Sequence, residues 1–267
     1  MLFRSAKQPA GAWPTRQHTR KVLMLAGCVQ PAMMPNINSA TARVLDAAGI
    51  QTVLAPQAGC CGAVKFHLND QEGGKAQMRA NIDAWWPNVA GGSPVEAIIM
   101  NASGCGVTVK EYGHILQDDP AYAVKARRIS ELTKDLSEWL PELADKLKGK
   151  VSAKSAGDAG QVVFHPPCTL QHGQQLRGGV EKHLNALGFQ VTISTNESHL
   201  CCGSAGTYSV LNPDIAYALR DRKLGNLQEM QPQVIVSANI GCITHLQSGT
   251  TTPVKHWVEV LDEALFP

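Results

Sequence analysis

The chain has 267 residues, a formal net charge of +2, 44% hydrophobic and 17% charged residues, and only 5% aromatic ones. That balance suits a packed globular chain long enough for two compact domains, and it argues against wholesale disorder. So small a charge argues against nucleic acid as a partner, and so few aromatics against a base-stacking surface; the densest basic cluster, Lys125, Arg127 and Arg128, reads as a solvated helix face.

Residues 1–20 read as an N-terminal extension. Arg16, Arg20 and Lys21 then precede Val22-Leu23-Met24-Leu25-Ala26-Gly27-Cys28, a run that looks like a bacterial lipoprotein signal ending in a lipidated cysteine. Its apolar core is shorter than the ~7–15 residues of a signal peptide, so a strand entering a loop is the expected structure. No apolar run approaches the ~20 residues of a spanning helix, and the cytoplasm is the expected compartment.

Val22–Leu25 is the first expected strand, followed by a loop from Cys28 to Asn36. A helical pattern carries Ala42, Val44, Leu45 and Ala48 to a stop at Gly49. Gln51–Ala55 resumes as a strand leading to Cys60-Cys61, and a helix over Glu72–Trp86 should end before Pro87. Ala97–Met100 is a third strand, ending in the Cys105 loop. Ala123 to Leu140 places Ile129, Leu132, Leu136 and Trp139 at helical spacing. Lys148–Gly160, rich in Lys, Ser, Gly and Ala, reads as a linker. The order is then replayed by Val162–His165, a helix near Gln174–Leu187, Gln190–Ser194, a helix near Pro213–Glu229, and Val234–Ser237.

The replay extends to the cysteines. Cys28 and Cys168 are offset by 140, Cys60-Cys61 and Cys201-Cys202 by 141, and Cys105 and Cys242 by 137. Gly59-Cys60-Cys61-Gly62-Ala63 parallels Leu200-Cys201-Cys202-Gly203-Ser204. Two copies of one unit follow. The expected class is α/β: two tandem pseudo-repeated domains, 21–147 and 161–267, joined by the linker 148–160. Each is a small, mostly parallel sheet with helices on its faces and cysteines in the loops beyond the strands.

Disulfides suit small secreted chains, and adjacent cysteines bridge each other badly. Inert buried thiols would not repeat as a constellation flanked by glycine. Metal binding is the reading that remains, by zinc or an iron–sulfur cluster. Zinc sites usually use C-x2-4-C knuckles, which neither repeat has. Neighbouring side chains in extended backbone point to opposite faces, so a vicinal pair suits the several vertices of a cluster better than one ion. Gly62 and Gly203 would let the backbone turn closely round such a core. The cluster is favoured and zinc in one site stays as the alternative.

At these residues the chain resembles a known family. The stretches AGCVQPAMMPNINSATARVLDAAGI, AGCCGAVKFHLN, NIDAWWP, NASGCGVTVKEYG, CTLQH, SHLCCGSAGTYS, ANIGCITHL and VKHWVEVLDEAL are similar to the cysteine-rich CCG domains of heterodisulfide reductases and of the iron–sulfur subunits of glycolate and lactate oxidation systems. The likeness is strongest to the glycolate oxidase iron–sulfur subunits, and it covers Lys21 to the C-terminus. It implies an electron-transfer subunit that is not catalytic alone. Such a subunit takes electrons from a FAD-containing partner that oxidises glycolate to glyoxylate, and passes them towards quinone from a peripheral position at the inner face of the cytoplasmic membrane. It implies one or two [4Fe-4S] clusters, with Cys28, Cys60, Cys61 and Cys105 as one ligand set and Cys168, Cys201, Cys202 and Cys242 as the other.

The sequence departs from the family in two places. Ala102 and Asn239 stand where a C-x-x-C would supply a fifth cysteine, so four-ligand sites are expected rather than a five-ligand noncubane arrangement. The C-x2-C-x2-C-x3-C-P runs of complete glycolate oxidase iron–sulfur subunits do not occur, which suggests an N-terminally truncated chain. A heterodisulfide or thiol–disulfide reductase and a zinc-stabilised scaffold are the alternative functions. Among the other polar residues, His67, His165, His172, His199 and His245 lie near cysteine loops and read as ordinary hydrogen-bonded histidines, with His165 the best placed to support a ligand. Glu111 and Tyr112 read as helix residues. Trp85 and Trp86 cannot share one helix face, so one of them is expected to meet a partner subunit. No dinucleotide or P-loop pattern is present.

Overall fold

The computed structural model describes residues 9–267; residues 1–8 of the expected extension lie outside them. The chain divides into two compact units, one formed by Ala10–Leu136 and one holding Ser137–Pro267. The first contains β1 (Arg20–Met24), α1 (Gln30–Met33), α2 (Asn36–Ala47), β2 (Ile50–Val53), α3 (Ala63–His67), α4 (Gln71–Ala90), β3 (Ala97–Met100), α5 (Ser103–Lys110), α6 (Tyr112–Ile115), α7 (Ala123–Leu132) and β4 (Thr133–Asp135). α8 (Leu136–Leu147) begins at the division. The second unit continues with α9 (Ala153–Asp158), β5 (Gln161–Phe164), a π-helical turn (Thr169–Gly173), α10 (Gly179–Ala186), β6 (Gln190–Ile193), α11 (Tyr208–Leu211), α12 (Pro213–Gln228), β7 (Val234–Ser237), α13 (Ile240–Gln247), β8 (Val254–His256) and α14 (Trp257–Leu265).

Each unit is built on a four-stranded sheet with every pair parallel, in the orders β2-β1-β3-β4 and β6-β5-β7-β8. The two registers correspond: Leu23 faces Ile98 in the first sheet and Val163 faces Ile235 in the second. The central strands β3 and β7 are buried along their whole length, as parallel strands covered on both faces must be. The Val22–Leu25 run that looks like a lipoprotein signal is therefore a sheet strand and its exit, with Val22, Leu23 and Met24 fully buried. Ahead of it, Arg16 ion-pairs with Asp46 of α2, His18 hydrogen-bonds to the same carboxylate at 2.8 Å, and Arg43 donates to the Ala12 carbonyl at 2.7 Å. Among the described residues no helix is long and apolar enough to cross a membrane.

Several elements differ from expectation. α4 runs through Pro87 to Ala90: the ring removes one hydrogen bond, but Trp85 and Val89 are buried on the same core and hold the last turn in place. Trp85 is fully buried, and Trp86 is half-buried against that core with the Lys125 ammonium 5.6 Å from its ring. The helical pattern from Ala123 to Leu140 is interrupted by β4. Thr133 turns extended at the end of α7, its hydroxyl donates to the Ile129 carbonyl at 2.7 Å, and the strand pairs with β3. β8 is its counterpart; neither strand was expected. The stretch expected as a linker contains α9, whose Ala156 is fully buried. α10 starts at Gly179 rather than near Gln174, because Gln175 and Gly178 adopt left-handed backbone that breaks the helix.

Candidate metal centre

In each parallel sheet three of the four strands lead, beyond their carboxyl ends, to cysteine: in a loop after the first two, and in the first turn of the following helix after the third. β1 leads to Cys28, β2 to Cys60-Cys61 and β3 to Cys105; β5 leads to Cys168, β6 to Cys201-Cys202 and β7 to Cys242. The carboxyl ends of parallel strands are where an open α/β sheet gathers ligands. All eight cysteines are free thiols. Their sulfurs form two quartets linked by thiol–thiol hydrogen bonds, Cys28 to Cys60, Cys60 to Cys61 and Cys61 to Cys105 in one. In the other the links run from Cys168 to Cys201, Cys201 to Cys202 and Cys202 to Cys242. The links run as a chain rather than round one point. Among the described residues no group of three or more His, Cys, Asp or Glu is arranged to hold a single metal ion.

The electrostatics repeat as well. Cys60 and Cys201 each accept from two neighbouring thiols, which lowers them to about 2. Cys28 and Cys168 are pushed up by the hydrogen bonds they make to those sulfurs, and then by burial. Cys61 and Cys202 are raised too, by thiol hydrogen bonds first and then by desolvation. Cys105 is lowered by its hydrogen bond with Cys61. It sits in the first turn of α5, where free amide groups favour negative charge; Cys242 holds the same place in α13.

Backbone amides point at the vicinal sulfurs from two residues on. Gly62 and Ala63 donate to Cys60 and Cys61, and Gly203 and Ser204 to Cys201 and Cys202, with Gly203 N to Cys201 Sγ at 3.3 Å. This geometry needs the left-handed φ of +91° at Gly62 and +88° at Gly203. A Cβ on Gly62 would fall 2.8 Å from the Gly74 carbonyl of α4, and one on Gly203 would fall 2.3 Å from the Ala216 carbonyl of α12. Asn239, which stands in place of a fifth cysteine, directs its amide at Cys242 Sγ across 3.7 Å.

Two residues that sequence reasoning did not single out for the site hold the first vicinal loop. The Asn81 side chain accepts from Gly59 N and donates to the Cys60 carbonyl, both at 2.8 Å. Tyr112 is fully buried, stacks on Trp85 and donates to the Cys61 carbonyl at 2.8 Å. Asn81 opens the NIDAWWP stretch, which was the only signal. Lys223, in α12, is a third residue the sequence did not flag; it is buried and donates to the Glu197 carbonyl at 2.6 Å, just before the second vicinal loop.

The histidines divide by role. Ser237 Oγ donates to the His165 carbonyl at 3.0 Å, so it accepts from His165 Nδ1 at 3.1 Å. That leaves Nε2 unprotonated, buried and without a hydrogen-bond partner; burial lowers this imidazole to about 3, and it lies within electrostatic reach of Cys201. His245 donates to the Ala216 carbonyl at 3.1 Å and stacks on Tyr217, bracing the turn that Gly203 packs against. His172 reaches the His199 carbonyl at 3.3 Å, and His67 makes an edge contact with Phe66.

Four sulfurs per unit, several of them met by N–H donors beside glycines that admit a close core, fit the donor set of a [4Fe-4S] cluster. One edge of the first quartet is open: Cys28 is exposed, while Cys61 is 4% exposed. A family model for the cysteine-rich CCG domain matches residues 22–110 and 162–247. The chain belongs to the CCG cysteine-rich domain family. Both matched CCG segments begin in a first strand and end in the helix that carries the last cysteine of its quartet. Among relatives, the glycolate oxidase iron–sulfur subunit of Escherichia coli (strain K12) is 54% identical over 94% of this chain and 60% of its own length. The probable glycolate oxidase iron–sulfur subunit of Bacillus subtilis (strain 168) is 29% identical over 86% of this chain and 50% of its own. Lactate utilization protein A of Bacillus velezensis is 25% identical over 91% of this chain and 99% of its own length. The chain thus spans roughly half to three-fifths of the two glycolate oxidase relatives.

Proposed function

We propose that this chain is an iron–sulfur electron-transfer module of a glycolate-oxidising complex, with Cys28, Cys60, Cys61 and Cys105 holding one [4Fe-4S] cluster and Cys168, Cys201, Cys202 and Cys242 the other. The observation that carries the reading is the duplicated quartet: four sulfurs brought together beyond the strands of each sheet, with amide donors already aimed at the vicinal pair. Such clusters supply one-electron storage and release without bond-making on the protein. The chain's own residues set the conditions for that. Asn81 and Tyr112 fix the first vicinal loop, the Gly62 and Gly203 turns bring amides to sulfur, and buried Cys61 and Cys202 keep water from the inner side. Exposed Cys28 gives one quartet an edge that a partner can approach.

The relatives named as glycolate oxidase subunits support glycolate as the source of the electrons. The organic step belongs to a FAD-containing partner that yields glyoxylate, and quinone at the inner face of the cytoplasmic membrane is the acceptor, reached by peripheral association. The test is to mix the anaerobically reconstituted chain with the flavoprotein partner and glycolate. Bleaching of the iron–sulfur absorbance should require all three components. Turnover of a heterodisulfide or small disulfide by this chain alone would sink the proposal in favour of a thiol–disulfide enzyme.

A further inference from the structure

The two quartets are not electrostatically equivalent. The close approaches of Gly62 to Gly74 and of Gly203 to Ala216 align α4 with α12, and that alignment sets Asn81 against Lys223. Both side chains are buried, at 1% and 2% exposure; Asn81 donates to the Cys60 carbonyl within the first vicinal pair, and Lys223 to the Glu197 carbonyl ahead of the second. One is neutral and the other is a cation.

Lys223 has little else to balance its charge. Its ammonium is bonded to the Glu197 backbone carbonyl, while the Glu197 carboxylate is taken up by Arg222 and Asn226. Cys168, Cys201 and Cys202 all lie within electrostatic reach of it, together with that carboxylate. An ammonium taken out of water is strongly unfavourable unless a negative charge faces it. The electron-rich metal–thiolate core of a cluster would face it with such a charge. The corresponding position in the first unit has no such charge.

We propose that Lys223 makes the second site the more oxidising of the two, so that an electron delivered by the reduced flavin partner comes to rest on the Cys168, Cys201, Cys202 and Cys242 site. This rests on the reading of both quartets as clusters. A fixed positive charge stabilises the reduced, more negative form of a nearby cluster and raises its midpoint potential. Lys223 is a positioning charge and touches no reacting atom.

The experiment is a redox titration of the reconstituted full chain followed by EPR. The wild type should show two midpoints. Lys223→Met and Lys223→Gln should lower the higher one and leave the other unmoved, and Lys223→Arg should keep both. The wave that moves should be the one missing from Cys201→Ser. Unmoved midpoints, equal movement of both, or movement of the wave that survives in Cys201→Ser would overturn the proposal. So would a neutral variant that is unfolded without metal, or one that folds yet fails to retain the second cluster, since each makes the lysine a structural requirement. A wild type with no cluster signal would overturn the underlying reading and this one with it; intact clusters with unmoved midpoints overturn the role of Lys223 alone.

Discussion

Gly203→Ala tests whether the turn after the vicinal pair is required by geometry. Two penalties add at this position. A side chain at φ +88° occupies left-handed backbone, worth about 1–2 kcal/mol. The new Cβ would also lie 2.3 Å from the Ala216 carbonyl oxygen, and relieving such overpacking costs about 1–3 kcal/mol. Together the loss should be about 2–5 kcal/mol. Gly178→Ala is the matched control in the same unit: its φ is +74°, but nothing lies within 4 Å of its Cβ, so only the first penalty of about 1–2 kcal/mol applies. Urea unfolding of both variants, without metal and under reducing anaerobic conditions, gives the comparison. Gly203→Ala should be the less stable by at least ~1 kcal/mol and should recover less iron on reconstitution. Equal stabilities would refute the claim that the close approach to α12 makes glycine necessary.

Cys201→Ser should lose the second quartet's iron, leaving about half the wild-type content, while the first site keeps its EPR signal; retention of both clusters would show that the ligand grouping is wrong. Tyr112→Phe removes the donor to the buried Cys61 carbonyl and should destabilise the first unit by about 1–3 kcal/mol, read by urea unfolding; no change would mean that water replaces the hydroxyl there. Burial raises Glu259, the capping residue of α14, from 4.5 to about 7. The folded value lies above the unfolded one, so this stabilisation is fully present below pH 4.5 and lost as pH rises through 7. It is worth about 3 kcal/mol over that window. Glu259→Gln should flatten the stability–pH curve between those values, and an unchanged slope would count against it.

The sheets' inner strands were legible because apolar runs such as Ala97–Met100 and Val234–Ser237 coincide with strands buried on both faces. β4 and β8 were not, since each is three residues long, carries a central lysine and runs straight into a helix. A signal existed in the parallel Asp135-Leu136-Ser137-Glu138 and His256-Trp257-Val258-Glu259, both compatible with a capping box. The helical period crossing Leu132 and Leu136 hid the strand between them. The cysteine constellation stood out because it is duplicated. Its supports did not: Asn81 and Tyr112 reach Cys60 and Cys61 across 21 and 51 residues of chain. Lys223 sits among Arg220, Asp221 and Arg222, a charged stretch that reads as a solvated face until α12 turns one of its members inward.

The central claim is that each quartet holds an iron–sulfur cluster. Anaerobic reconstitution followed by iron, sulfide and zinc analysis, with EPR of the reduced protein, tests it most directly. The account predicts iron and acid-labile sulfide in equal amounts, about four of each per quartet, with a cluster signal on reduction. Protein that retains only zinc, with no sulfide and no cluster signal after reconstitution, would contradict it.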